Sequence, residues 1–103
     1  MSPHLAIDRQ AIEEFCGRRS ITEFALFGSV VRDDFGPESD LDVLVTFAPE
    51  ARISLFDLVR MEDELTGLLG RKVDLVTKEA VLRSHNRVRR KAILESAEVL
   101  YGA

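Results

Sequence analysis

The amino-acid sequence predicts a single α/β domain of two or three layers, in which helices cover a central sheet. Segments with helical spacing of apolar residues alternate with short apolar strands, in the order αβαβαβα. The strands at 21–27 and 40–47 are apolar on both faces apart from two aspartates, which indicates a sheet covered on both sides. The 103 residues contain no repeat and no linker, so we expect one domain over 1–103.

The first elements are defined by apolar spacing and by glycine and serine. Residues 5–18 carry apolar side chains at helical spacing, and Gly17 is a plausible stop, which predicts a helix. The stretch ITEFALF, residues 21–27, is short, apolar and aromatic and is followed by a glycine, which predicts a strand. Ser29 is a good N-cap residue, so SVVRDDF, residues 29–35, is expected to form a short helical turn.

Two further strands are expected, one on each side of a helix. They are DLDVLVTF, residues 40–47, and KVDLVT, residues 72–77, and both are apolar runs with aspartates inside them. The connection between them contains a full helix, so it could be a crossover within one sheet. The sequence leaves the strand directions open.

Three further helices are predicted. Ser54 can cap a helix that Gly70 ends. Two more follow at 79–84 and 87–100. The helix between the serine and the glycine has a wide apolar face, which we interpret as core or partly as a partner surface: Leu55, Leu58, Val59, Met61, Leu65, Leu68 and Leu69.

Composition limits the function classes. The formal net charge is −4, so the fold as a whole offers no basic surface for nucleic acid. The chain has one cysteine, which favours a reducing, cytoplasmic location. The start of the chain lacks a signal-peptide pattern, and no apolar run approaches the roughly 18 residues that a membrane span needs. We therefore expect a cytoplasmic protein without a membrane partner.

Three carboxylates interrupt the apolar strands. Asp40 and Asp42 are two residues apart, so both side chains would point to one face of a strand. Asp74 would lie across from them if the two strands are neighbours. A buried carboxylate is costly unless it is paired, protonated or bound to a metal. Oxygen-only ligands suit Mg²⁺ or Mn²⁺, so the three aspartates are candidate metal ligands.

A glycine and a serine follow the first strand. Gly28 would let the backbone approach a ligand closely, and Ser29 would open a short helix whose free N–H groups attract phosphate. A phosphate site beside a metal site favours phosphoryl or nucleotidyl transfer, in which catalysis is mostly positioning and charge neutralisation.

This spacing resembles the signature of the nucleotidyltransferase superfamily, which is Gly-Ser, about ten residues, and then Asp-x-Asp on a strand. The sequence GSVVR…SDLDVLV is similar to the corresponding segment of the minimal nucleotidyltransferase (MNT) group. The resemblance implies a DNA polymerase beta-like core, with a small mixed sheet flanked by helices. The positions that match are Gly28, Ser29, Arg32, Asp40, Asp42 and Asp74.

The resemblance also implies a role for each of these residues. Asp40 and Asp42 would bind the metal ions, and Asp74 would complete the site and accept the proton of an attacking hydroxyl. The Gly-Ser pair would hold the β- and γ-phosphates of ATP, and Arg32 would contact phosphate or the acceptor. MNT proteins are often encoded beside a HEPN-domain ribonuclease. The implied reaction transfers AMP to a tyrosine of that toxin, and a hetero-oligomer is expected.

Two other function classes remain open. The chain could neutralise a toxin by contact alone, or it could transfer a nucleotide to a small molecule such as an aminoglycoside. The net charge of −4 argues against a nucleic-acid polymerase, because such an enzyme needs a basic surface to bind nucleic acid. The basic stretch RVRRK, residues 87–91, could be a solvated helix face or a patch for phosphate or for an acidic partner.

Overall fold

A sheet with helices on both faces forms the domain in the computed structural model, which describes residues 8–28 and 40–102. Within these residues the sheet has four strands. The elements in chain order are α1 (Arg9–Arg18), β1 (Ile21–Phe27), β2 (Leu41–Phe47), α2 (Leu55–Leu69), β3 (Val73–Thr77), α3 (Lys78–Leu82), α4 (Arg87–Ser96) and β4 (Glu98–Gly102).

The sheet is mixed, with the strand order β3-β2-β1-β4. Strand β1 runs antiparallel to both of its neighbours, β2 and β4. Strands β2 and β3 are parallel and are connected through α2, so the expected crossover is confirmed. The mixed sheet flanked by helices is the architecture that the sequence resemblance implied.

The core has two parts, one on each face of the sheet, so the domain has three layers. Helices α1 and α2 cover one face and α3 and α4 cover the other. The larger part, called the main core below, consists of Ile12, Phe15, Cys16, Ile21, Phe24, Leu26, Leu41, Val43, Val45, Met61, Leu65, Val73 and Leu100. The smaller part consists of Ala25, Phe27, Leu44, Val81 and Ile93.

Capping groups explain where the described helices begin and end. The side chain of Asp8 accepts hydrogen bonds from two backbone N–H groups at the start of α1. Ser54 and Asp57 form a capping box at the start of α2, and Gly70 ends that helix with a left-handed φ of 70°. The predicted helix over 5–18 is wrong at its start, because Asp8 is extended and caps a helix that begins at Arg9. The predicted turn at 29–35 lies outside the described residues.

The predicted C-terminal helix over 87–100 is wrong in its second half. Helix α4 ends at Ser96, and β4 then pairs antiparallel with β1. Ala97 is already extended, with φ −61° and ψ 129°. Leu100 is buried in the main core. A strand forms here because pairing with β1 satisfies backbone groups that a longer helix would leave unpaired on the sheet. The order over the described residues is therefore αββαβααβ, and the predicted order αβαβαβα lacks its last strand, β4.

The predicted apolar face of α2 is only partly core. Met61 and Leu65 are buried, which confirms the inner part of the prediction. Leu55 is 80% exposed and Val59 is 58% exposed, and the neighbouring Phe56 is 80% exposed as well. Helical spacing indicates an apolar stripe, but it does not indicate how much of that stripe another element covers.

Helices α1 and α2 are connected by a carboxylate that two arginines share. Arg19 and Arg18 each donate a hydrogen bond of 2.6 Å to Glu64. The hydrogen bond from Arg19, followed by that from Arg18, lowers the pKa of Glu64. The Glu64 side chain is 27% exposed, so water weakens this interaction.

We predict that Leu100→Ala lowers the free energy of unfolding by about 2–4 kcal/mol, because it leaves a cavity in the main core. Val99→Ala on the same strand is the matched control. Val99 is 52% exposed, and its truncation should change the stability by about 0.5 kcal/mol or less. Urea unfolding of both variants measures the difference, and equal effects would contradict the placement of β4.

We predict that Glu64→Gln lowers the free energy of unfolding at pH 7 by about 0.5–1 kcal/mol. Because the folded pKa of Glu64 is lowered, its stabilisation is present above the unfolded pKa and is lost as the pH falls through the folded pKa. The difference between variant and wild type should therefore shrink in acid. Unfolding curves from pH 7 down to pH 3 test this. The control is Glu13→Gln on α1, and a gap independent of pH would contradict the prediction.

Candidate active site

The end of β1 and the starts of β2 and β3 meet at one end of the sheet. Because β2 is antiparallel to β1, Asp42 lies opposite Phe27, the last residue of β1. Because β2 is parallel to β3, the same aspartate lies beside Asp74 in register. Neighbouring strands are about 4.8 Å apart, so the two aspartates are adjacent across the sheet.

Both aspartates lie on the face of the sheet that α3 and α4 cover. On β2 the side chains of Leu41 and Val43 belong to the main core, so Asp42 between them points to the other face. On β3, Val73 belongs to the main core and Leu75 packs against it, so Asp74 also points to the other face. The predicted juxtaposition of these two aspartates is therefore what the register of the sheet produces.

Gly28 lies directly against the Asp42 carboxylate. A Cβ atom built on this glycine would overlap Oδ2 of Asp42, and the φ of the glycine is +75°. Both the contact and the positive φ exclude an ordinary side chain. The backbone at the end of β1 thus approaches the carboxylate as closely as glycine permits, which brings Gly28 and the predicted metal ligand Asp42 together.

The carboxylates are less buried than we expected. Asp42 is half-buried, whereas Asp40 and Asp74 are exposed. Asp40 precedes β2, and the ladder begins at the next residue, where Leu41 donates a backbone hydrogen bond of 2.8 Å to Lys72. Asp74 is exposed because β3 is the edge strand of the sheet. The argument that three buried carboxylates require a cation is therefore wrong, and the site depends on the adjacency of Asp42 and Asp74 instead.

The donor set suits a magnesium ion that is shared with a substrate. Over residues 8–28 and 40–102, no group of three or more histidine, cysteine or acidic side chains is arranged to hold a metal ion. Mg²⁺ retains several waters and is usually bound by one or two carboxylates together with substrate phosphates. Two adjacent carboxylates on neighbouring strands fit that pattern. Cys16 is no competitor, because it is buried in the main core, where burial raises the pKa of its thiol to about 12.

Two residues of α2 hold the strand that carries Asp74, and sequence analysis missed both. Thr66 accepts a hydrogen bond of 3.1 Å from the backbone N–H of Val73, and Glu62 accepts one of 2.9 Å from that of Leu75. These N–H groups lie on either side of Asp74 and point away from β2. Glu62 and Thr66 are four residues apart, so they lie on one side of the helix. The spacing of four residues between these two polar side chains was the sequence signal that could have identified them.

The other two predicted site residues, Ser29 and Arg32, lie outside the described residues. Their roles in binding phosphate or acceptor therefore stay predictions. Asp40 remains a candidate ligand at the entrance to β2. None of the four described helices, α1 to α4, has both the length and the apolar composition of a membrane-spanning helix.

Comparison with known proteins identifies similar sequences. The profile of the family described as nucleotidyltransferase domain matches residues 8–100. The protein adenylyltransferase MntA of Thermococcus cleftensis is 39% identical over 69 residues, which cover 67% of this chain and 68% of that protein. A Methanocaldococcus jannaschii protein, provisionally named protein adenylyltransferase MJ1217, is 39% identical over 75 residues, which cover 73% of this chain and 71% of that protein.

Solved structures share the fold. A crystal structure of a toxin–antitoxin with AMP-PNP has a TM-score of 0.72 at 21% identity. The alignment covers 94% of this chain and 75% of the chain in that structure. A complex of the tri-AMPylated HEPN toxin of Shewanella oneidensis with its MNT antitoxin has a TM-score of 0.63 at 22% identity, covering 92% of this chain and 70% of its own. At these identities the likeness concerns the fold alone.

We predict that Gly28→Ala lowers the free energy of unfolding by about 1–3 kcal/mol, because the new methyl group meets the Asp42 carboxylate and the backbone is strained. The matched control is Gly67→Ala in α2, where no atom lies within 4 Å of the added Cβ. Alanine there should stabilise the helix by about 0.5–1 kcal/mol. Chemical unfolding of both variants tests the pair, and a Gly28→Ala protein as stable as wild type would refute the close approach.

Proposed function

Because the chain belongs to the nucleotidyltransferase family, we propose that it is a metal-dependent protein adenylyltransferase that neutralises a HEPN-type toxin. It transfers AMP from ATP to a hydroxyl, expected to be that of a tyrosine, on the toxin. The observation that carries this proposal is the adjacent pair Asp42 and Asp74 beside Gly28 at one end of the sheet. The names of MntA and of the AMPylated Shewanella oneidensis complex support the substrate class.

The metal would be held by Asp42 and Asp74, with Asp40 as a further ligand. A bound Mg²⁺ neutralises charge on the phosphates and on the leaving pyrophosphate. The two carboxylates hold fixed negative charge where a cation is needed, and the register of β2 and β3 sets their spacing. Carboxylates without a nearby cation would instead repel ATP, so nucleotide binding should depend on the metal.

The phosphates would lie against the turn that leaves β1. Gly28 has no side chain to obstruct them, and its positive φ turns the chain sharply at the end of the strand. The N–H groups that follow, with Ser29 and Arg32, are proposed to bind the β- and γ-phosphates. This arrangement would place the α-phosphorus near the aspartate pair.

The acceptor hydroxyl would lose its proton to Asp74. Its oxygen attacks the α-phosphorus, the bond from that phosphorus to the bridging oxygen breaks, and pyrophosphate leaves. Asp74 is the more exposed member of the pair and lies on the edge strand. An acceptor carried by a large protein can therefore reach it from the side of the sheet.

Neutralisation by contact alone is the second candidate. Leu55, Phe56 and Val59 form an exposed apolar patch at the start of α2. Such patches often mark protein–protein interfaces. In addition, an exposed carboxylate costs the folded state little in desolvation. The fold could therefore retain Asp40 and Asp74 even if they bind no metal and take no part in catalysis. Binding through the patch and AMP transfer are separable by mutation.

We predict that Asp42→Asn combined with Asp74→Asn abolishes metal-dependent ATP binding in calorimetry and lowers AMP transfer to a HEPN-type partner by about a hundredfold or more. The loss follows because neither amide supplies the anionic oxygen ligand that Mg²⁺ prefers. Asp63→Asn, an exposed position on α2, is the control and should behave as wild type.

Circular dichroism would establish that the double variant is folded. A folded variant that loses transfer but still neutralises the toxin in a growth assay would contradict the enzymatic proposal and favour contact. Equal ATP binding by variant and wild type would exclude this pair as the metal site.

A further inference from the structure

A cavity of about 190 Å³ lies between β3, α3 and α4, on the same face of the sheet as the aspartate pair. Its apolar lining includes Val76 and the buried residues Val81 and Ile93. Val76 follows Asp74 by two residues on β3, so the two side chains share a face about 7 Å apart along the strand. The cavity therefore begins next to the proposed site of AMP transfer.

Three polar residues line the same cavity, namely Ser84, Arg89 and Arg90. We call the cavity with these residues the arginine pocket. Its walls thus combine an apolar interior with two permanent positive charges. This combination suits a ligand that has both an apolar part and an anionic part.

The charge of the pocket contrasts with that of the chain. The net charge is −4, yet residues 83–94 hold four arginines and one lysine and no acidic residue. The cations at the two ends of this stretch are paired, Arg83 with Glu79 and Lys91 with Glu95. Among the described residues, neither Arg89 nor Arg90 forms an ion pair. Within the described residues Arg87 forms no ion pair either, but it does not line the pocket, so two of the three unpaired cations of this stretch lie at the pocket.

Arg90 is held in position rather than left in solvent. Its Nη1 donates to the backbone carbonyls of Ser84 and Leu82, at 3.3 and 3.5 Å. Within the described part of the chain its Nε and Nη2 donate to no acceptor. A guanidinium that is fixed on one side and open on the other is suited to a carboxylate, which it can bind with two parallel hydrogen bonds.

We propose that the arginine pocket docks the acceptor segment of the protein substrate, and that this segment carries a carboxylate next to an apolar or aromatic side chain. This inference rests on the proposed function and specifies its substrate. Charge complementarity favours a short acidic segment over a nucleic acid, because a long polyanion would also meet the carboxylates of Asp42, Asp74 and Glu79.

The test is an NMR titration of the whole chain with two synthetic peptides, in which the chemical shifts of the backbone amides are followed. One is the acetylated and amidated peptide Asp-Glu-Leu-Tyr-Glu-Asp, and the other replaces each acid by its amide. The acidic peptide should shift the amides of Val76, Val81 and Ser84, and the amide peptide should bind about tenfold more weakly. A titration with no shift at these amides would overturn the proposal.

Arg89→Glu is the informative variant. Arg89 is three residues after the N-cap Asn86, whose side chain accepts its backbone N–H at 3.0 Å. Glutamate at this position is favourable for a helix start, so the variant should fold. It should bind the acidic peptide about tenfold more weakly than wild type. Arg60→Glu makes the same charge change on α2, on the other side of the sheet, and should leave peptide binding unchanged.

The same samples separate this inference from the proposed function. Arg89→Glu should bind MgATP as wild type does, while its KM for a HEPN-type acceptor rises. Equal peptide affinity in Arg89→Glu and wild type would overturn the docking site. Displacement of the peptide by MgATP would also overturn the docking site. The same holds if an RNA octamer binds in the pocket more tightly than the acidic peptide does. Peptide binding without any MgATP binding would support the docking site and overturn the proposed function.

Discussion

The register of β2 between its two neighbours is the constraint on which the site depends. Strand β2 is antiparallel to β1 and parallel to β3, so one residue, Asp42, is placed beside the end of one strand and the start of the other. Side chains alternate along a strand, and a slip of one residue would turn this carboxylate into the main core. The packing of Leu41 and Val43 on that core therefore fixes where the charge points.

The core and the site thus use alternate positions of the same strands. On β2 and β3, one set of side chains stabilises the layer under α1 and α2, and the other set faces α3 and α4. On that second face the apolar lining near Val76 changes to carboxylates at Asp42 and Asp74 within two residues. The same short strands can therefore carry the aspartate pair of the proposed metal site and an apolar pocket side by side without any buried charge in the main core.

Local signals predicted β1, β2, β3 and α2 closely, because caps, glycines and apolar runs define those boundaries. They failed for β4, since a short apolar stretch directly after a helix becomes a strand only when β1 is there to pair with it. The pairing of Asp42 with Asp74 was predictable once neighbouring strands were assumed. The exposure of Asp74 was not, because no local pattern shows that β3 is an edge strand. Likewise, nothing in the spacing of Leu55 and Val59 shows that they stay exposed.

The bonds that α2 makes to the outer side of β3 have a consequence for self-association. An edge strand with free N–H groups can recruit the edge of another molecule and begin aggregation. Here Glu62 and Thr66 occupy the outward N–H groups on both sides of Asp74. A foreign strand would have to displace a carboxylate and a hydroxyl to add to the sheet there. The aspartate can thus remain open to solvent on an edge that resists polymerisation.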